Sequence, residues 1–190
     1  MKKLIASTIL SLIFASTSHA DTDLKQHAQK SKMVVKEFMT QLKGELQTAM
    51  KAGGPVNAIN VCNEKAPAIA KNLSEKHGWK VARTSLKTRN SSNAPDAWET
   101  KVLNDFETRK AKGEDVKPMA YFEAVENNGK KSFRFMKAIP TGEVCLKCHG
   151  ENIATPIKAK LQALYPDDKA TGFKLGDIRG AFTITQPIKF

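Results

Sequence analysis

The chain has 190 residues, with 31 Lys and Arg against 19 Asp and Glu, a formal charge of +12, and 41% apolar side chains. That length suits one domain with a real hydrophobic core. The lysines are scattered, without the dense basic block that marks a nucleic-acid tail, and after the N-terminus no segment approaches the ~20 apolar residues needed to span a bilayer.

Met1 to Ala20 has the layout of a bacterial secretory signal. Lys2 and Lys3 form the positive start, Leu4 to Phe14 the apolar stretch, and Ser18-His19-Ala20 a small-x-small cleavage site. Residues 1–20 are therefore expected to be removed and residues 21–190 to form a single domain. Without Lys2 and Lys3 the 31 basic side chains become 29 against 19 acidic ones, so the mature charge is +10. Export argues against nucleic acid and leaves an anionic lipid, an acidic protein partner or a solvated surface as the meaning of that charge.

From Asp21 to Ala52, Leu24, Ala28, Met33, Val34, Phe38, Met39, Leu42, Leu46 and Ala49 recur mostly at spacings of three or four, which predicts a long amphipathic helix. Ala52-Gly53-Gly54-Pro55 stops it and starts a second helix, giving a helical hairpin. His27 lies near the mature N-terminus and reads as a surface residue. In the second helix Ala58, Cys62, Ala66, Ile69 and Leu73 share one face, so Cys62 is expected to be buried. Pro67 cannot donate to the carbonyl of Asn63, which predicts a kink or break close to Cys62. Gly78 supplies a left-handed end, with His77 near the last carbonyls.

Trp79 to Thr84 alternates as a half-buried strand does, and Ser85 to Pro95 reads as a loop. Arg83 and Arg89, with Lys87, are cations that can meet the carboxylates of a bound group, such as propionates, although basic side chains in a loop are more often solvated. A helix begins at Asn93-Ala94-Pro95-Asp96 and ends near Lys112-Gly113. Met119 to Glu126 and Lys131 to Ile139 are strands joined by the hairpin signal Asn127-Asn128-Gly129-Lys130, with Phe133 and Phe135 on one face and Arg134 and Met136 on the other. A short helix over Pro156 to Leu164 and a strand over Ala181 to Ile188 complete an α+β domain with an antiparallel sheet.

Between these elements stands Cys145-Leu146-Lys147-Cys148-His149, the C-x-x-C-H signature of covalent haem c attachment. Each thiol can add to one porphyrin vinyl group, and the adjacent histidine supplies the proximal iron bond. A structural zinc site would need a second ligand pair, and the chain has one further cysteine, Cys62. A thioredoxin-like redox pair would sit near the start of a βαβ unit. A disulfide between Cys145 and Cys148 is the remaining alternative. Met119 and Met136 compete with Cys62 as a further ligand, since methionine is the usual sixth ligand of small electron-transfer cytochromes.

Val61-Cys62 with Ala66-Pro67, Arg83-Thr84-Ser85, Arg89-Asn90, Pro95-Asp96 with Trp98-Glu99, Cys145 to Gly150 and Gly176 to Gly180 together resemble one family. It is a family of exported monohaem c-type proteins, long catalogued as a domain of unknown function, whose structurally known cyanobacterial member has a PAS-like fold. The resemblance covers nearly the whole mature chain. It implies a PAS-like antiparallel sheet with an N-terminal helical hairpin and one covalent haem c, whose iron is held by His149 and Cys62. Relatives that are sensor segments of signalling receptors add redox sensing to electron transfer as the expected role, with a redox partner protein. The alternatives are a simple electron shuttle with His/Met ligation and a module binding a small diatomic ligand. His27, His77 and the scattered carboxylates form no catalytic constellation, so an enzyme is not expected.

Overall fold

The computed structural model describes residues 17–188. Most of the expected signal segment, including its basic start and apolar stretch, lies outside the described residues. Among the described residues no helix is long and apolar enough to cross a membrane.

Helix α1 (Thr17–Asn60) is interrupted where the sequence predicts, at Gly53 and Gly54, whose φ/ψ values of −160/19° and 68/−162° are not helical. Gly54 has the left-handed φ that glycine adopts without penalty. Asn57 Nδ2 donates to the Ala49 carbonyl across the break, and Pro55 starts the second arm. That arm runs into a π-helical turn, Val61–Lys65, followed by α2 (Ala66–His77). Pro67 has no N–H for Asn63, and the Ala66 N–H reaches back to the Val61 carbonyl, so the predicted kink takes the form of a π turn containing Cys62. Such turns recur at functional sites. Gly78 ends α2 in the left-handed conformation (φ 66°).

Strands β1 (Lys80–Thr84), β2 (Ala120–Asn127), β3 (Lys130–Pro140) and β4 (Ile178–Pro187) form one antiparallel sheet in the order β1-β4-β3-β2. The β2–β3 turn has Asn128 and Gly129 at φ 51° and 72°, the double left-handed geometry that Asn-Gly favours. Phe133 and Phe135 face α1 and α2, packing with Val35, Phe38, Leu73, Phe182 and Ile184. Met136 and Ala138 face α3 (Ala97–Ala111), with Leu103 and Phe106. Both faces of the sheet are thus covered, and each fully buried Phe contributes roughly 1.5–3 kcal/mol.

Helix α3 starts with a capping box: Asp96 accepts from the Glu99 N–H at 2.8 Å, and Glu99 from the Asp96 N–H at 3.1 Å. Two further helices, α4 (Glu143–His149) and α5 (Thr155–Leu164), fill the connection from β3 to β4. One expectation is corrected. His27 is not a loose surface residue: its Nδ1 donates to Gln186 Oε1 at 2.6 Å, and its ring lies 5.4 Å from that of Phe133. Gln186 is buried and also donates to Ser31 Oγ at 2.7 Å, so this polar knot fastens α1 to β4.

Candidate haem site

The C-x-x-C-H stretch forms α4, a seven-residue helix. A three-residue spacing places Cys145 and Cys148 on one helical face. Gly150 ends the helix with extended backbone. A Cβ there would lie 2.6 Å from the Leu146 carbonyl oxygen, so the exit from the motif has no room for a side chain. The chain then returns, with Phe173 N–H donating to the His149 carbonyl at 2.9 Å and Gly172 N–H to Gly150 at 3.0 Å.

Cys145, Cys148 and His149 line one pocket together with Cys62, Arg83 and Arg89. It holds about 1260 Å³ of space, counting the solvent at its mouth. Leu42, Leu46 and Met50 come from the first arm of α1, and Ile59 from the second, so the glycine break folds two apolar helical arms around the same volume. Cys62 is half-buried, less than its helix face predicts, because the π turn opens it into this pocket. All three cysteines are free thiols. Met119 and Met136, by contrast, are packed in the core on the α3 face of the sheet and do not line the pocket.

His149 is surrounded by polar groups. Its Nδ1 lies 2.7 Å from the Ala170 carbonyl and 3.1 Å from Arg179 Nε, and its Nε2 lies 3.4 Å from both Arg179 Nε and Arg89 Nη1. A carbonyl can only accept and a guanidinium can only donate, and two guanidinium groups face Nε2, so the short contact to the carbonyl puts the proton on Nδ1 and the lone pair on Nε2. Burial, then Arg179 and Arg89, hold the ring well below the ordinary histidine pKa. A neutral imidazole with its lone pair on Nε2 is the form that binds a metal.

Three arginines share this wall. Arg89 is buried, and its Nε donates to Asp168 Oδ2 at 3.0 Å while Nη2 reaches the carbonyls of Cys148 at 2.6 Å and Ala170 at 3.2 Å. Of the two arginines expected to meet propionates, this one already has protein partners. Arg83 has none of that kind: its guanidinium lies 5.7 Å from the Phe38 ring centroid and finds no hydrogen-bond acceptor among the described residues. Burial lowers its pKa, which the neighbouring Cys62 and Tyr165 oppose. Arg179 donates through Nη1 to Ser85 Oγ at 3.2 Å, and burial, then Arg89 and Arg83, push it down to about 10.

Sequence reasoning did not single out Arg179, Tyr165 or Met50 as site residues. Tyr165 is buried and lines the pocket; burial, then Cys62, pushes its hydroxyl up to about 12. The one signal for Arg179 was its place in the Gly176 to Gly180 stretch.

The residues present fit a haem. Two thiols on one helical face, a lone-pair nitrogen beside them, an apolar enclosure and a guanidinium without a protein acceptor converge on one volume. The Tll0287-like family model matches residues 17–187. This chain belongs to that family. Its fold is similar to the crystal structure of the cyanobacterial haem protein Tll0287, with a TM-score of 0.66 and 25% identity over 85% of this chain and 95% of that one. No curated protein matches it. Membership of the Tll0287-like family supports haem as the cofactor class.

Proposed function

We propose that this member of the Tll0287-like family is an exported, periplasmic c-type haem protein serving redox sensing or electron transfer, without catalysis. One haem would be joined through Cys145 and Cys148, with His149 and Cys62 as the residues that would hold its iron. The observation that carries the reading is the convergence of all three thiols and the His149 imidazole on one pocket. Bound there, haem supplies a one-electron iron couple.

The chain's own residues then divide the work. His149 presents Nε2 as a ligand while Nδ1–H stays on the Ala170 carbonyl. Cys62 offers an anionic sulfur that favours ferric iron. Arg83 and Arg179 supply cations for the propionates, and the apolar helical arms exclude water. The basic surface suits an acidic redox partner. Were Cys62 not bound, its position would be open to a small diatomic ligand, which would let the same site serve as a sensor.

A second reading, an electron shuttle with His/Met ligation, is supported by Met50, the methionine that lines the pocket. Optical and EPR spectra of both oxidation states, with and without carbon monoxide, separate the two. Thiolate ligation gives a low-spin ferric signal that depends on Cys62, and carbon monoxide binding to the ferrous protein reports a released ligand. A ferric spectrum unaffected by loss of Cys62 refutes the His/Cys assignment.

A further inference from the structure

Ala170 O accepts from two side chains, His149 Nδ1 at 2.7 Å and Arg89 Nη2 at 3.2 Å. The loop that carries it is pinned from the other side. Asp168 Oδ1 accepts the Ala170 N–H at 2.8 Å, and Asp168 Oδ2 takes Arg89 Nε at 3.0 Å and Nη2 at 2.9 Å. Lys169 N–H donates to the Thr88 carbonyl at 2.8 Å, which laces the same loop to the segment that carries Arg89. The guanidinium also reaches the Cys148 carbonyl at 2.6 Å, one of the terminal α4 carbonyls that have no intrahelical partner, and its Nη1 lies 3.4 Å from His149 Nε2, so it borders both ring nitrogens' surroundings. One buried side chain therefore joins the end of the motif helix to the loop whose carbonyl faces the histidine.

We infer that Arg89 and Asp168 are a positioning pair: they hold the Ala170 carbonyl against His149 Nδ1, and so fix the tautomer and orientation that leave Nε2 as the ligating nitrogen. This rests on the reading of His149 as the proximal ligand. The geometry explains why both charges are needed. Ala170 lies in a stretch between α5 and β4 without regular secondary structure, so its carbonyl has no ladder to aim it. An ordinary peptide carbonyl in such a stretch would be free to rotate toward water. The side chains of Arg89 and Asp168 are 7% and 12% exposed, so their pairing is far less screened than a surface contact. A carbonyl held on Nδ1–H also makes the imidazole a more basic ligand, which favours ferric iron.

The test uses the haem-loaded full chain with Arg89→Ala, Arg89→Lys and Asp168→Asn, reading the reduction potential and the solvent exchange of the His149 Nδ1 proton in 15N-histidine-labelled protein. Charge alone predicts opposite shifts, because losing Arg89 removes a cation and losing Asp168 removes an anion. A positioning pair predicts that Arg89→Ala and Asp168→Asn both raise the potential. In both variants Nδ1–H should exchange roughly tenfold faster, as expected when one hydrogen bond is lost, with Arg89→Lys lying between them and the parent. Opposite potential shifts with unchanged Nδ1–H exchange overturn the inference. If Arg89→Ala does not fold, Arg89→Lys and Asp168→Asn give the same decision. A purified parent protein without haem, but with a slowly exchanging Nδ1–H that the variants lose, would refute the haem reading and keep the pair.

Discussion

A β-carbon on Gly180 would lie 2.3 Å from the carbonyl oxygen of Thr84. At φ 148° Gly180 is also in a conformation that other residues rarely adopt. Strand β4 can therefore run against the end of β1, which places Arg179 beside Ser85 and His149. The colliding atom is backbone and cannot swing away. Gly180→Ala is expected to lower stability by at least ~1–3 kcal/mol, the usual cost of a strained residue, and to disturb the placement of Arg179 beside His149. Chemical unfolding of parent and variant measures the first effect, and the ferric optical spectrum the second.

On the opposite face of the sheet, Arg134 pairs with Glu99 at 3.1 Å and Asp96 at 2.8 Å, beneath the Trp98 ring. Burial would raise the Asp96 carboxyl, but hydrogen bonds from Arg134 and the Glu99 N–H outweigh it and hold the group below its ordinary value. A depressed carboxyl contributes stability that is present above the unfolded pKa of ~3.9 and is lost as pH falls through the folded value. Asp96→Asn keeps a good helix cap. The variant should lose less stability than the parent between about pH 5 and pH 3. Parallel unfolding curves across that range would remove Asp96 from the acid sensitivity.

The helical hairpin, the four strands, the Asn-Gly turn and the two faces of β3 were legible because each rests on local periodicity or a turn signal. The break at Gly53 and the kink at Pro67 were legible for the same reason. The form of that kink was not, since a π turn depends on which carbonyl Ala66 reaches. His27 was misread because position in the chain says nothing of Gln186, 159 residues away. The motif identified Cys145, Cys148 and His149, whereas the partners of Arg89 and Arg179 lie across pairings of β1 with β4 and of loop with loop. No local pattern announces those.

Arg83 and Arg179 should act on the haem electrostatically. Removing a cation near the propionates favours the ferric state, so Arg83→Ala and Arg179→Ala are each expected to lower the potential by an amount on the order of tens of millivolts. Redox titration of the two variants decides this. Unchanged potentials would leave both arginines as part of the pocket wall only.

Cys62→Ser should alter the ferric spectrum and raise the potential, because an anionic ligand that favours ferric iron is lost. Met119→Ala and Met136→Ala should leave both unchanged, since these residues pack against α3. Met50→Ala is the sharper control, as Met50 shares the pocket with Cys62. A spectrum that responds to Met50 and ignores Cys62 would favour the shuttle reading.

The central claim, a covalent haem on Cys145 and Cys148, is tested most directly by the intact mass of the protein exported from a host with a working haem-attachment system, combined with its pyridine haemochrome spectrum. The account predicts a chain starting at Asp21 with the mass of one haem added and a c-type haemochrome. A chain of unmodified mass, giving no haemochrome under those conditions, would contradict it.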